Sequence, residues 1–324
     1  MKQITKLINS QLNFVLTGHV NPDGDAIGSC FGLAFALERL GKNVAVVLEP
    51  YSQKFNVIPG HKFLYTGDVN NLDVDVLIAL DCADLSRLGS GQLLFNRAKH
   101  TVCIDHHKTN TGFAEFNHIE PETSSTSEIV FRLIEELTQP DENIASAVYA
   151  GIISDTGGFK YSATAKSTLE IAARLINMNI PFTTIYNELL HMHSFAAGKA
   201  MGIVMQNAKQ TYGGRVVYSY ITLDEMTSVE ANSGDVDGIV EYLLSTNGAD
   251  SSVFVYQPER PDQVKVSFRS RGPDVGNIAV AMGGGGHSLA AGCTVTATVE
   301  NALKQALFLL EKEFQIYDRR NKCL

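Results

Sequence analysis

The chain has 324 residues, 44% hydrophobic and 19% charged, with a formal net charge of −9. That length suggests two domains with sizeable cores and excludes a disordered chain, while the acidic balance argues against a broad basic groove for long nucleic acid. No apolar run approaches the ~20 residues needed to span a bilayer, and the segment after Met1 is too polar for a signal peptide, so the expected location is the cytoplasm, with no membrane partner.

The first half alternates strand and helix patterns. Residues 13–17 (NFVLT) form a short apolar run, and helical spacing covers 26–40 until Gly41 stops it. Residues 43–48 (NVAVVL), 74–80 (VDVLIAL) and 101–104 (TVCI) read as strands. Ser125 and Glu128 have capping-box spacing before a helix that runs to about Leu137, and another helix fits 142–153. Near-continuous apolar strands alternating with helices predict a parallel sheet covered on both faces. Residues 162–208 are helical in pattern, with breaks expected at Asn179-Ile180-Pro181 and around Gly198 and Gly202.

After Tyr212 the texture changes. Strands are expected at 215–222, 252–257 and 263–269, with helices at 236–245 and 278–282. The reading is α/β throughout. An N-terminal parallel-sheet domain (1–185) joins through a helical linker (186–208) to a smaller C-terminal α/β domain (209–324), with the active-site cleft expected between them.

Five cysteines are scattered without a C-x-x-C pair, as expected for reduced thiols. Cys82 and Cys103 read as buried small hydrophobes.

Four short segments carry metal-binding side chains. Gly18-His19-Val20-Asn21-Pro22-Asp23-Gly24-Asp25 follows a strand and precedes a helix, and its Pro and Gly allow a turn that gathers His19, Asp23 and Asp25. Asp81 closes an apolar strand. Asp105-His106-His107 follows another; His106 suits a metal, Asp105 an orienting role and His107 a substrate phosphate. Asp155 ends a helix before Gly157 and Gly158. Each alone could be an ordinary turn or cap residue. In open parallel sheets, however, ligands bind beyond the carboxyl ends of the strands, where three of the four segments lie. Together they offer imidazole and carboxylate donors and no thiolate, which suits manganese, magnesium, iron or cobalt better than structural zinc. A Ser154/Asp155/histidine hydrolase would leave Asp23, Asp25 and Asp81 unexplained.

The C-terminal half carries Ser267-Phe268-Arg269-Ser270-Arg271 and four successive glycines, Gly283 to Gly286, followed by His287. The glycines expose backbone N–H groups to an anion, and Arg269 offers a fork for phosphate.

The segments HVNPDGDAIGS, LDCADLSRLG, IDHHKTN and GIISDTGGF, with FRSRG and GGGGHSLAAGC, resemble the DHH phosphoesterase family with its DHHA1-type C-terminal domain. The group most resembled is the bacterial oligoribonucleases that also dephosphorylate 3′-phosphoadenosine 5′-phosphate (pAp). The resemblance implies two divalent ions, commonly manganese. One would be held by His19, Asp23 and Asp81, the other by Asp25, Asp81, His106 and Asp155, with Asp81 shared. It implies His107 at the scissile phosphate, with Asp105 and Asp81 supporting catalysis. It implies Arg269, Ser270, Gly285, Gly286 and His287 as substrate contacts.

The expected substrates are short RNA or DNA oligonucleotides and nucleoside bisphosphates, and a homodimer is compatible with this. The competing readings are a cyclic-di-AMP or pApA phosphodiesterase, a pyrophosphatase, and a silent nucleotide-binding regulator. The last predicts broken ligand positions, which this chain does not have.

Overall fold

The computed structural model describes residues 1–260 and 262–321, so Cys323 lies outside the described residues. The chain divides into two compact units, Met1–Met192 and the remainder from His193.

In the first unit, α1 (Lys2–Ser10) precedes β1 (Asn13–Thr17), α2 (Gly24–Arg39), β2 (Asn43–Val47) and β3 (Val76–Leu80). Then come α3 (Gly91–Phe95), β4 (His100–Asp105), β5 (Phe116–Ile119), α4 (Thr126–Leu137), α5 (Glu142–Asp155), α6 (Lys166–Ile176) and α7 (Phe182–Leu190). The five strands are all parallel, in the order β2-β1-β3-β4-β5. Successive strand residues point to opposite faces, and the cores follow that alternation. Phe14, Leu16, Val76, Ile78 and Leu80 join one cluster with α2, α4 and α5, while Val15, Leu77 and Ala79 join a second with Leu88 and Leu94. With both faces covered, every residue of β3 is buried.

The second unit contains α8 (Phe195–Asn207), β6 (Lys209–Thr211), β7 (Val216–Ile221), α9 (Leu223–Ser228), α10 (Ile239–Leu244) and β8 (Ser251–Tyr256). It continues through β9 (Gln263–Ser270), α11 (Val275–Ala281), β10 (Gly285–His287), β11 (Ala290–Thr296) and α12 (Val299–Asn321). Its six-stranded sheet has the order β10-β11-β9-β8-β7-β6 and is mixed, because β7 and β8 run parallel and the other pairs antiparallel. Val264, Val266 and Phe268 face one core; Phe254 and Tyr256 face another. No helix among the described residues is long and apolar enough to cross a membrane.

Several local expectations change. The break after Asn179 is present, with that residue at φ 60°, but the next interruption falls between α7 and α8. Gly198 and Gly202 lie inside α8, because Ser194 caps that helix by accepting from the Ala197 N–H. Ser125 caps α4 in the same way. Glu128, however, does not reach back to complete a box; buried, it accepts from Ser124 and Thr168 instead. The helix expected at 236–245 is shorter, because Gly238 at φ 79° separates a short helical turn from α10. Gly285, Gly286 and His287, at the end of the glycine run, form the edge strand β10.

Helices α2 and α5 meet at glycines. A Cβ on Gly28 would stand 2.5 Å from the Ala147 carbonyl oxygen and 2.8 Å from the Gly151 nitrogen, both backbone atoms. Helix propensity alone favours alanine by about 1 kcal/mol, but overpacking a rigid contact costs about 1–3 kcal/mol. Gly28→Ala is therefore expected to lower the urea midpoint of the protein, and a raised midpoint would show that the two helices are free to separate.

Candidate metal centre

The residues that could bind a metal gather at the carboxyl ends of β1, β3 and β4. After β1 the chain turns through Asn21, at φ 56°, into α2. Asp23 caps that helix, its Oδ1 accepting from the Asp25 and Ala26 N–H groups at 3.0 and 3.1 Å. Its other oxygen lies 3.7 Å from His19 Nε2. Because Asp23 takes the cap, Asp25 falls in the first turn of α2, fully buried and directed inward.

Asp81 follows β3 and adopts φ 56°, an uncommon conformation for a residue with a side chain. Its N–H continues the ladder by donating to the Ile104 carbonyl at 3.1 Å. The carboxylate, 2% exposed, has one oxygen 3.6 Å from His19 Nε2 and the other 3.5 Å from His106 Nε2 and 3.7 Å from His107 Nδ1. Asp155, the last residue of α5, reaches within 3.4 Å of His106 Nε2. Three sets of atoms are close enough to grip an ion: His19, Asp23 and Asp81; Asp81, His106 and His107; and Asp25, His106 and Asp155.

Neighbouring acceptors orient the imidazoles. His19 Nδ1 lies 2.7 Å from the Val20 carbonyl and His106 Nδ1 3.2 Å from the Thr123 carbonyl, so each ring turns Nε2 toward the carboxylates. Arg87 also approaches His19 Nδ1, but at 3.4 Å, so the shorter carbonyl contact governs the ring. Asp105, fully buried, lies 2.7 Å from His107 Nδ1 and also accepts from the His106 N–H and Asn110 Nδ2. Asn110 was not singled out in the sequence; it stands on the same turn as the Asp-His-His triplet.

Residues at the start of α4 also escaped the sequence reading. The Thr126 and Ser127 N–H groups donate to the two oxygens of Asp25 at 2.7 and 2.9 Å, and Thr126 Oγ1 donates to Asp81 Oδ1 at 3.1 Å. Ser125 spacing signalled a helix start, but not that the exposed ends of its backbone would meet a carboxylate from a strand-to-helix turn about a hundred residues earlier.

The electrostatics follow from burial and from the crowding of carboxylates. Burial pushes Asp25 well above the usual carboxylate range, and the charges of Asp81 and Asp155 add to the effect. Burial likewise raises Asp155, to about 6; His106 opposes the shift, while Asp81 and Asp23 add to it. Burial would lower His19, but hydrogen bonds to Asp23 and Asp81 overturn that and hold it at about 10. The hydrogen bond to Asp105 raises His107. Burial lifts the thiols of Cys82 and Cys103 to about 11 and about 12, so they remain neutral. The donor set is thus imidazole nitrogen and carboxylate oxygen, and the ion-pair partners of Asp81 and Asp155 among the described residues are histidines. Such a cluster fits divalent cations on its chemistry.

In the second unit, Lys265, Ser267 and Arg269 share one face of β9 and line a cavity of about 380 Å3 with Glu241, Gly285 and Gly286. Arg269 is held by Glu241, 2.6 Å from its Oε1. Ser270 departs from its expected role. Strand alternation puts it on the core face, where its hydroxyl accepts from Ser251 Oγ and the Gly272 N–H and donates to the Asp250 carbonyl. Ser267 lines the cavity instead. His287 is exposed on the edge strand β10.

The family described as DHH family, N-terminal domain, matches residues 13–152, and the DHHA1 domain matches residues 213–315. The chain is 33% identical over 299 residues to the bifunctional oligoribonuclease and PAP phosphatase NrnA of Thermus thermophilus, across 91% of this chain and 88% of that protein. It is 28% identical to the protein of that name in Bacillus subtilis, across 90% and 92% of the two chains. An exopolyphosphatase-related protein from Bacteroides fragilis superposes with a TM-score of 0.89 at 29% identity, covering 98% of this chain and 97% of that one. This chain belongs to the DHH family and carries a DHHA1 domain.

Proton linkage tests the centre. His19 near 10 holds its proton at neutral pH in the ion-free protein, and must release it to offer Nε2 to a metal. Asp155 near 6 takes up a proton as pH falls through that value, so metal affinity should weaken there. Calorimetry of manganese binding in buffers of different ionisation enthalpy is expected to show net proton release near neutrality and tighter binding as pH rises through about 6. Binding without proton release would place the metal elsewhere.

Proposed function

We propose that this protein hydrolyses short RNA oligonucleotides to mononucleotides and removes the 3′-phosphate of pAp, using two divalent ions, manganese foremost. It is a metal-dependent phosphoesterase of the DHH family. The observation that carries the reading is the place of Asp81, whose two oxygens face separate groups of histidine and carboxylate donors. We assign one ion to His19, Asp23 and Asp81 and the other to Asp25, Asp81, His106 and Asp155. Residues 1–185 would form the catalytic domain and 209–324 the substrate domain, joined by 186–208.

Bound at these donors, paired ions lower the pKa of a water and neutralise charge on the reacting phosphoryl group. The chain's own groups do the rest. His107, the most exposed of the metal-centre histidines, is held through Nδ1 by Asp105 and keeps a raised affinity for its proton. Its Nε2 can therefore donate to a non-bridging phosphate oxygen. Arg269, with the open backbone at Gly285 and Gly286, would hold a second phosphate or the terminal nucleotide. An arginine fork beside open backbone suits a nucleotide rather than pyrophosphate alone, and the acidic net charge disfavours long strands, which leaves dinucleotides and pAp as the favoured substrates. A purified preparation compared on pApA, pAp and mixed dinucleotides separates this reading from a dedicated cyclic-di-AMP or pApA phosphodiesterase.

Asp81→Ala is expected to reduce manganese-dependent hydrolysis of a ribodinucleotide by about a thousandfold or more, equivalent to several kcal/mol of lost charge stabilisation, with the circular dichroism spectrum unchanged. Near-normal turnover would remove Asp81 from the centre. No activity of the native protein on either a dinucleotide or pAp with manganese present would refute the function itself.

A further inference from the structure

The first turn of α4 has no idle donors. A helix begins with N–H groups that have no partner within it. Here the Thr126 and Ser127 N–H groups go to the two oxygens of Asp25, and the Glu128 N–H goes to Ser125 Oγ at 3.1 Å. Asp25 is thereby held in both oxygens by rigid backbone, at the end of the helix that favours negative charge. Its position is fixed by the main chain, and side-chain substitution in α4 leaves those two bonds in place.

Asp81 is held differently. It sits at φ 56° immediately beyond β3, and its N–H bond to the Ile104 carbonyl fixes the backbone but not the rotation of the carboxylate. That rotation decides everything a shared ligand does, because one oxygen must face His19 and the other His106. The oxygen toward His106 is the one that accepts the Thr126 hydroxyl, at 3.1 Å. Thr126 is itself completely buried, so its hydroxyl has no water to turn to. As the first residue of α4 it also has no helical carbonyl a turn earlier to receive its proton.

We infer that Thr126 is the positioning residue for the carboxylate shared by the two ions. Its hydroxyl takes one lone pair of Asp81 Oδ1 and so fixes the carboxylate plane with Oδ2 toward His19 and Oδ1 toward His106. Thr126 is not among the residues assigned to either ion, and its side chain reaches the centre through Asp81. Without the donor, the carboxylate can turn both oxygens to one ion and leave the other with an incomplete set. This inference rests on the two-metal reading above.

Manganese alone is the probe. The native protein is expected to bind two ions per chain, with spin coupling through the shared carboxylate visible by electron paramagnetic resonance. Thr126→Val, close in shape but without the hydroxyl, should bind one of the two ions about 10- to 100-fold more weakly, the range seen when groups that orient metal ligands are removed, and should lose the coupled signal. Thr126→Ser restores the donor and should restore both. Thr126→Ala provides a second donor-less variant should valine fail to fold, and must behave as valine is expected to. Two tightly bound, coupled ions in a folded variant lacking the hydroxyl would overturn the inference and leave the two-metal reading standing. Failure of the native protein to bind two ions would overturn both. Weakening in the serine variant equal to that in valine would show that packing, not the donor, is responsible.

Discussion

Asp25, Asp81 and Asp155 crowd around one point with little or no access to water for the first two. Gathering like charges in a medium of low dielectric is costly, and such groups ordinarily answer by taking up protons. Burial and mutual repulsion raise the proton affinity of Asp25 and Asp155, while hydrogen bonds to Asp23 and Asp81 hold His19 at about 10 against its own burial. Carboxylates outnumber imidazoles in this cluster, an arrangement that suits divalent cations. The surrounding architecture consists of what is needed to hold these carboxylates in place against their repulsion.

That holding is shared among three kinds of structure. Parallel strands β1, β3 and β4 end together, which delivers His19, Asp81 and the Asp105-His106-His107 triplet to one edge. Helix α2 brings Asp23 and Asp25 in its cap and first turn, and α4 receives Asp25 on its unpaired N–H groups. The close crossing of α2 and α5 at Gly28 and Gly151 seats Asp155 opposite. At Gly151 a Cβ would stand 3.0 Å from Asp25 Oδ1, so the same glycine that permits helix packing leaves space for the carboxylate.

Much of this was legible from local pattern. Apolar runs ending in aspartate or histidine locate strand ends, and the rule that ligands bind there brings distant segments together. The parallel sheet, the alternating helices and a second, smaller α/β unit follow from the same periodicities, whereas the mixed strand directions of that second sheet do not. Residues that act through the main chain were not legible. Thr126 and Ser127 look like any helix start, and their use is set by a tertiary contact with Asp25. The resemblance implies Ser270 as a substrate contact beside Arg269, whereas a strand sends neighbours to opposite faces. The break between α7 and α8 was assigned to glycines, yet the cap at Ser194 decides it. Strand β5 was missed because its four residues, FNHI, are neither alternating nor uniformly apolar and gain their strand character by pairing with β4.

The central claim is that one buried carboxylate, Asp81, joins two metal positions. Anomalous diffraction from crystals grown with manganese tests it most directly. The account predicts two peaks in each chain, about 3.5–4 Å apart, one on each side of Asp81. A single peak, or a pair of peaks of which Asp81 touches only one, would contradict it.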